Sequence, residues 1–219
     1  MKTIVLSPLL AATAVVTSAN ATPPTLLEIA RAQWPAARLT NSVLIIVDAQ
    51  REYAEGKLPL VGIDEAVNNI ATLLSRARAA GTPVIHVVQH SPKDRPIFAL
   101  GSPMAEIFAQ LTPRDGETIV EKLLPNSFAN TSLDATLRTF GRKDLIVVGF
   151  MTHMCVSATA RSALDHGYRC TVVASCCATR DLPDGSGGVI PAAEIHRMEL
   201  AALRDRFAAV VNTVAEIHD

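Results

Sequence analysis

Uninterrupted apolar runs alternate along this chain with longer stretches whose apolar positions recur every three or four residues. The first pattern suits a strand buried on both faces of a parallel sheet, and the second marks a helix with one face against that sheet. Residues 42–47 (Ser-Val-Leu-Ile-Ile-Val), 83–88, 118–120, 144–148, 170–174 and 207–211 read as strands. Helices are predicted over 64–80, where Ala66, Ile70, Leu73, Leu74 and Ala77 share a face, and over 133–140, 153–166 and 191–205. A shorter helix is expected around 104–111, inside an otherwise loose stretch from 91 to 116. Gly81, Gly141 and Gly167 each follow a predicted helix, where a left-handed residue closes the last turn. Such alternation folds as a three-layer α/β/α domain, a mostly parallel Rossmann-like sheet with helices on both faces.

Composition narrows the picture without changing it. With 219 residues, 49% of them apolar, the chain holds one domain with a full core rather than two large ones. Twenty basic and 21 acidic residues are scattered with no basic block, which argues against nucleic acid as a partner. Residues 1–21 stand apart: Lys2, an uncharged stretch over 3–19, then the small-x-small pattern Ala19-Asn20-Ala21. That reads as a secretory signal peptide, leaving 22–219 as the mature domain in the periplasm or outside the cell. The alternative is an extension of a cytoplasmic enzyme. The stretch is short for a membrane span and nothing downstream resembles one, so no membrane partner is expected for the mature chain. Cys170, Cys176 and Cys177 lack metal-ligand spacing and read as small buried hydrophobes.

Candidate chemistry gathers where the predicted strands end, the place at which open α/β sheets build their sites. Asp48 ends the first strand, Lys122 lies two residues beyond the third, and Cys155 falls in the first turn after the fourth. Alone, each has an ordinary explanation as a turn residue, a solvated charge or a core cysteine. Together they supply a thiol nucleophile, a base and a cation that favours the thiolate.

Three segments carry a resemblance. Val47-Asp48-Ala49-Gln50, Glu121-Lys122-Leu123-Leu124-Pro125-Asn126-Ser127-Phe128 and Val148-Gly149-Phe150-Met151-Thr152-His153-Met154-Cys155-Val156 are similar, in order and spacing, to the motif blocks of the isochorismatase-like cysteine hydrolases. The resemblance covers residues 40–212. It implies a catalytic triad of Asp48, Lys122 and Cys155, a cis peptide between Phe150 and Met151, and an oxyanion hole made by the backbone N–H groups of Met151 and Cys155. It implies hydrolysis of a C–N bond in a small amide, imide or ureide through a thioester, and a homo-oligomer. A vinyl-ether hydrolase, or a non-catalytic binding protein on the same scaffold, is the alternative.

Metal-dependent relatives in that superfamily carry an Asp-x-His pair after the second strand. Here His86-Val87-Val88-Gln89-His90-Ser91-Pro92 lacks it, so no metal or other cofactor is expected. Gln50, Tyr53, His90, Asn126, Phe128, Phe150 and His153 are candidates to line the pocket for the small-molecule substrate, the two amides for a ureido or amide group and the aromatics for an apolar portion. The glycine-rich turn 184–188 is expected to form a flexible flap.

Overall fold

β1 (Ser42–Val47) is buried along its whole length, because alternate residues feed different cores. Leu44 and Ile46 join one apolar cluster with α2 (Ile63–Ala79), while Val43, Ile45 and Val47 join another on the opposite face. The structure is a computed structural model that describes residues 22–32 and 34–219. The leader expected at 1–21 lies outside the described residues.

The remaining sheet strands are β2 (Val84–Gln89), β3 (Thr118–Lys122), β4 (Asp144–Phe150), β5 (Arg169–Ala178) and β8 (Ala208–Val211), the last following a small hairpin of β6 (Leu182–Pro183) and β7 (Val189–Ile190). The six-stranded order is β3-β2-β1-β4-β5-β8, parallel throughout. A four-residue helix, α1 (Leu26–Ile29), precedes the sheet. Leu133 and Leu137 of α3 (Leu133–Phe140), Ala160 and Ala163 of α4 (Ser157–Asp165), and Leu200 and Leu203 of α5 (Ala192–Arg206) fill the second cluster. Helices therefore cover both faces. Truncating a fully buried side chain such as Ile70 to alanine costs about 2–5 kcal/mol.

Strand order reverses at β1, with β2 and β3 on one side and β4 and β5 on the other. A crevice opens at such a switch point, outside the carboxyl ends of the strands. At this point β4 and β5 lose simple register: Val147 pairs with Val172, but Gly149 pairs with Cys177. Gly149 has φ +119°, and a Cβ there would lie 2.0 Å from the Val47 carbonyl oxygen. Only glycine lets β4 pass this close to the end of β1.

Five sequence expectations are corrected. The strand predicted to stop at 120 continues to Lys122, so the lysine is part of β3. The strand predicted to stop at 174 runs on to Ala178. Residues 104–111 are two separate 3₁₀ turns, Pro103–Ala105 and Ala109–Leu111, because Ile107 is drawn into an antiparallel bridge with Gln50 and the chain between the turns is extended. The helix expected from 153 opens instead with a π-helical turn, Thr152–Val156, and becomes α-helical only at Ser157. The 184–188 turn is tied down, since Asp184 Oδ1 accepts from the Ser186 and Gly188 N–H groups at 2.7 and 2.9 Å between β6 and β7.

Candidate active site

Asp48 follows β1 in a left-handed conformation, φ 49°. Non-glycine residues adopt this conformation at a cost of about 1–3 kcal/mol, and only where the surroundings dictate it. Its N–H donates to the Val87 carbonyl at 2.8 Å, which pins the turn to β2. From β3, the Lys122 ammonium reaches across to within 2.8 Å of Asp48 Oδ2, and both side chains are wholly buried. The same Nζ lies 3.4 Å from Cys155 Sγ. Cys155 is held in the π-helical turn, where the Val156 N–H donates to the Met151 carbonyl at 3.2 Å, and Thr152 Oγ1 ties the turn to the Ala178 carbonyl at 3.1 Å. The Phe150–Met151 peptide bond is cis.

The electrostatics differ from the simple expectation of a stabilised thiolate. Burial pushes the Cys155 thiol up to about 12, and the neighbouring Asp48 charge adds to the shift, while Lys122 opposes both. Burial therefore favours the thiol over the thiolate. Burial also raises Asp48, partly offset by the Lys122 charge beside it and the nearby thiol. A carboxylate pushed upward is a stronger base toward a neighbouring proton donor.

A cavity of about 310 Å³ opens above the sulfur. Cys155, Met151, Met154 and Tyr53 line it together with Gln89, Ile97, Phe98 and Arg180. Among the residues expected to line it, Tyr53 is there, its ring edge-on to Phe98 at 5.2 Å. The others are directed elsewhere. Gln50 is wholly buried and spends its amide on the Gln89 and Ala105 backbones. Asn126 Oδ1 accepts from the Phe128 N–H at 2.9 Å, a local turn contact. Phe128 stacks on His166 with centroids 4.6 Å apart, in the core under α3. Phe150 lies behind Tyr53, fully buried, with centroids 5.8 Å apart. His153 Nδ1 pairs with Thr179 Oγ1 at 2.6 Å. His90 faces an adjoining cavity of about 570 Å³ that it shares with Lys122. The physical reason is common to Gln50, Asn126 and His153: polar groups half or fully buried at strand ends bind the nearest protein partner first.

Sequence reasoning missed Arg180. It lies two residues beyond β5, lines the cavity, and its buried Nε has no hydrogen-bond partner among the described residues. Among the described residues no group of three or more His, Cys, Asp or Glu could hold a metal ion. His86, in β2, pairs instead with Glu117 at 2.8 Å. Among the described residues no helix is long and apolar enough to cross a membrane.

A parallel α/β/α sheet with a buried Asp–Lys–Cys cluster at its carboxyl edge is the architecture of a hydrolase. Residues 42–215 match the isochorismatase domain model, and the chain belongs to the isochorismatase family. It is 42% identical to the secreted isochorismatase effector Isc1 of Verticillium dahliae over 79% of this chain and 88% of that one. It is 34% identical to a streptothricin hydrolase of Streptomyces noursei, over 78% and 69%, and 29% identical to the maleamate amidohydrolase of Pseudomonas putida, over 63% and 72%. The crystal structure of an isochorismatase from Pseudomonas putida KT2440 superposes with TM-score 0.86 at 46% identity, covering 90% of this chain and all of that one.

Proposed function

We propose that this hydrolase cleaves the C–N bond of a small amide, imide or ureide, with Cys155 as nucleophile, Asp48 as proton carrier and Lys122 as the supporting cation. The observation that carries the reading is the Lys122 ammonium lying within 2.8 Å of Asp48 and 3.4 Å of Cys155, with the sulfur lining one cavity and the lysine the cavity beside it. Asp48 takes the thiol proton as the sulfur bonds to the substrate carbon, and the carbon–oxygen π electrons move onto oxygen. The N–H groups of Met151 and Cys155 receive that oxyanion. The C–N bond then breaks, the proton passes from Asp48 to the departing nitrogen, and a thioester remains. Asp48 next removes a proton from water, which attacks the thioester and releases the carboxylic acid and the thiol. The names of relatives that are amidohydrolases support the same chemistry.

Arg180 narrows the substrate. A buried guanidinium N–H without a partner is costly, and a carboxylate satisfies it with a charge-assisted pair. The apolar walls of Ile97, Phe98 and Met154 suit a short carbon skeleton between that carboxylate and the scissile carbonyl. The test is ammonia release from a panel of small amides and ureides, each supplied with and without a carboxylate. The carboxylated members should turn over faster. Cys155→Ala should lower the rate by about 10⁴-fold or more with the thermal midpoint unchanged. An alanine variant that still turns over removes the covalent route.

We further infer that the chain is exported and that its mature form begins at Thr22. Ala19-Asn20-Ala21 and the secreted Verticillium relative support this. Sequencing the amino terminus of the protein from its native source tests it, and an intact Met1 overturns it.

A further inference from the structure

We infer that Gln89 is a positioning residue that divides the Lys122 ammonium between Asp48 and Cys155, a role that rests on the hydrolase reading above. An ammonium has three N–H donors, and Lys122 directs its own at Gln89 Oε1 (2.8 Å), the Leu124 carbonyl (3.1 Å) and Cys155 Sγ (3.4 Å). Asp48 Oδ2 is as near as Gln89, 2.8 Å, but it lies off the directions of the ammonium's N–H donors, and the Cys155 thiol is the other donor beside the carboxylate. A buried lysine beside an aspartate would ordinarily turn an N–H onto it, since charge-assisted hydrogen bonds are the stronger ones. Two neutral acceptors prevent that here and leave the third donor facing sulfur.

Gln89 can do this because it is itself fixed. Its Nε2 donates to the Leu123 carbonyl at 3.1 Å. Its backbone is clamped on both sides by Gln50, whose Oε1 accepts the Gln89 N–H at 2.9 Å and whose Nε2 donates to the Gln89 carbonyl at 2.9 Å. The same Nε2 reaches the Ala105 carbonyl at 2.7 Å, so the clamp joins the end of β1, the end of β2 and the loop over the cavity. The consequence is chemical. Asp48 feels the ammonium as a charge while keeping its oxygens open to a proton, and Cys155 keeps a cationic donor for the sulfur that forms.

The experiment is a double-mutant cycle read by alkylation. The pH profile of iodoacetamide labelling at Cys155 is followed by mass spectrometry in wild type, Gln89→Met, Lys122→Met and the double variant. The groups facing the thiol are Asp48, Lys122 and Tyr53, with Arg180 across the cavity and His90 acting on Asp48, and Gln89→Met leaves Asp48, Tyr53, Arg180 and His90 intact. Gln89→Met should move the profile up by about one pH unit, the lower end of what an opposite charge nearby confers. It should add nothing in the Lys122→Met background, because its effect passes through the lysine. On a turned-over substrate, kcat should fall more than KM rises. Equal displacements in both backgrounds, or none in wild type, overturn the inference while leaving the hydrolase reading standing. A Lys122→Met profile that coincides with wild type overturns both. Should the methionine variant fail to fold, Gln89→Ala carries the same cycle.

Discussion

Two carboxylates, one at the start of β3 and one at the end of β1, on either side of β2, have opposite fates. Glu117, one residue before β3, accepts from Arg78 at 2.7 and 2.9 Å, from the Arg114 N–H at 3.0 Å, and pairs with His86 at 2.8 Å. Burial works against its charge, but the Arg78 and Arg114 hydrogen bonds win and hold it at about 2. Asp48, one residue after β1, has burial raising it, with only a cation at the same distance, off the line of its donors, and a thiol to offset that. Both sites contain a carboxylate, a cation and a third titratable group. The difference is saturation. A carboxylate whose lone pairs are all occupied is a fixed anion that braces the amino end of the sheet, whereas one with open oxygens at the carboxyl end can accept a proton.

Exchanging each carboxylate for its amide breaks the comparison most directly. Asp48→Asn should lower turnover by about 10²–10⁴-fold, the range for a positioned proton-transfer group. Glu117→Gln should leave kcat/KM within about twofold and cost about 1–3 kcal/mol, because the amide cannot accept from all of its donors. Turnover and the urea midpoint, measured on both variants, decide it. A Glu117→Gln enzyme as impaired as Asp48→Asn would show that the two sites are coupled, and the distinction drawn from saturation would fall.

Gly149→Ala sharpens the same point from the backbone side. Its Cβ would overlap the Val47 carbonyl just before Asp48, at a φ that side chains rarely adopt. Strain of about 1–3 kcal/mol adds to overpacking of about 1–3 kcal/mol. Thermal unfolding should reveal a loss of roughly that sum. An unchanged midpoint would mean that β1 and β4 can part without cost, and that the floor of the site is softer than its geometry implies.

What could be read from the sequence divides along physical lines. Residues 42–47 and 144–148 announce themselves because strands buried on both faces leave no room for polar side chains. Asp48, Lys122 and Cys155 could be picked out because strand ends are where polar residues gather. The end of β3 was harder, since Glu121 is exposed and Lys122 buried, so its pattern looks like a loop. Arg180 was missed because β5 was read as ending at 174. Its bulged continuation through Ser175, Cys176 and Cys177 has no simple period, and had it been followed to Ala178 the arginine would have stood at a strand end. Gln50 and Asn126 were misdirected for another reason: residue type announces hydrogen bonding, but the nearest partner is fixed only by the fold.

The saturation of Glu117 also has a pH signature. Its folded value lies well below the ordinary 4.5, so its stabilisation is fully present above about 4.5 and is lost as pH falls toward about 2. The stability gap between wild type and Glu117→Gln should therefore narrow through that window. Urea midpoints at neutral pH and near pH 3 measure it, and a gap that stays constant would assign the acid loss to other carboxylates.

The smallest expected effect is that of a chelator. A bound transition metal needs three or four convergent ligands, and His86 is the first histidine to consider. Its Nε2 is taken by Glu117, and Glu117 is shared with the Arg78 guanidinium, which repels any cation placed there. His90 follows four residues later along extended chain, roughly 13 Å away; the carboxylate paired with it is Glu121, 3.4 Å from Nδ1, and the Asp48 carboxylate it also feels is already paired with Lys122. Neither histidine has the company to hold an ion. Dialysis against a chelator should leave both turnover and the thermal midpoint unchanged. Activity that disappears and returns with zinc, manganese or iron would require a site assembled only when substrate or a second chain is present, and would move the source of the reactive nucleophile away from Cys155.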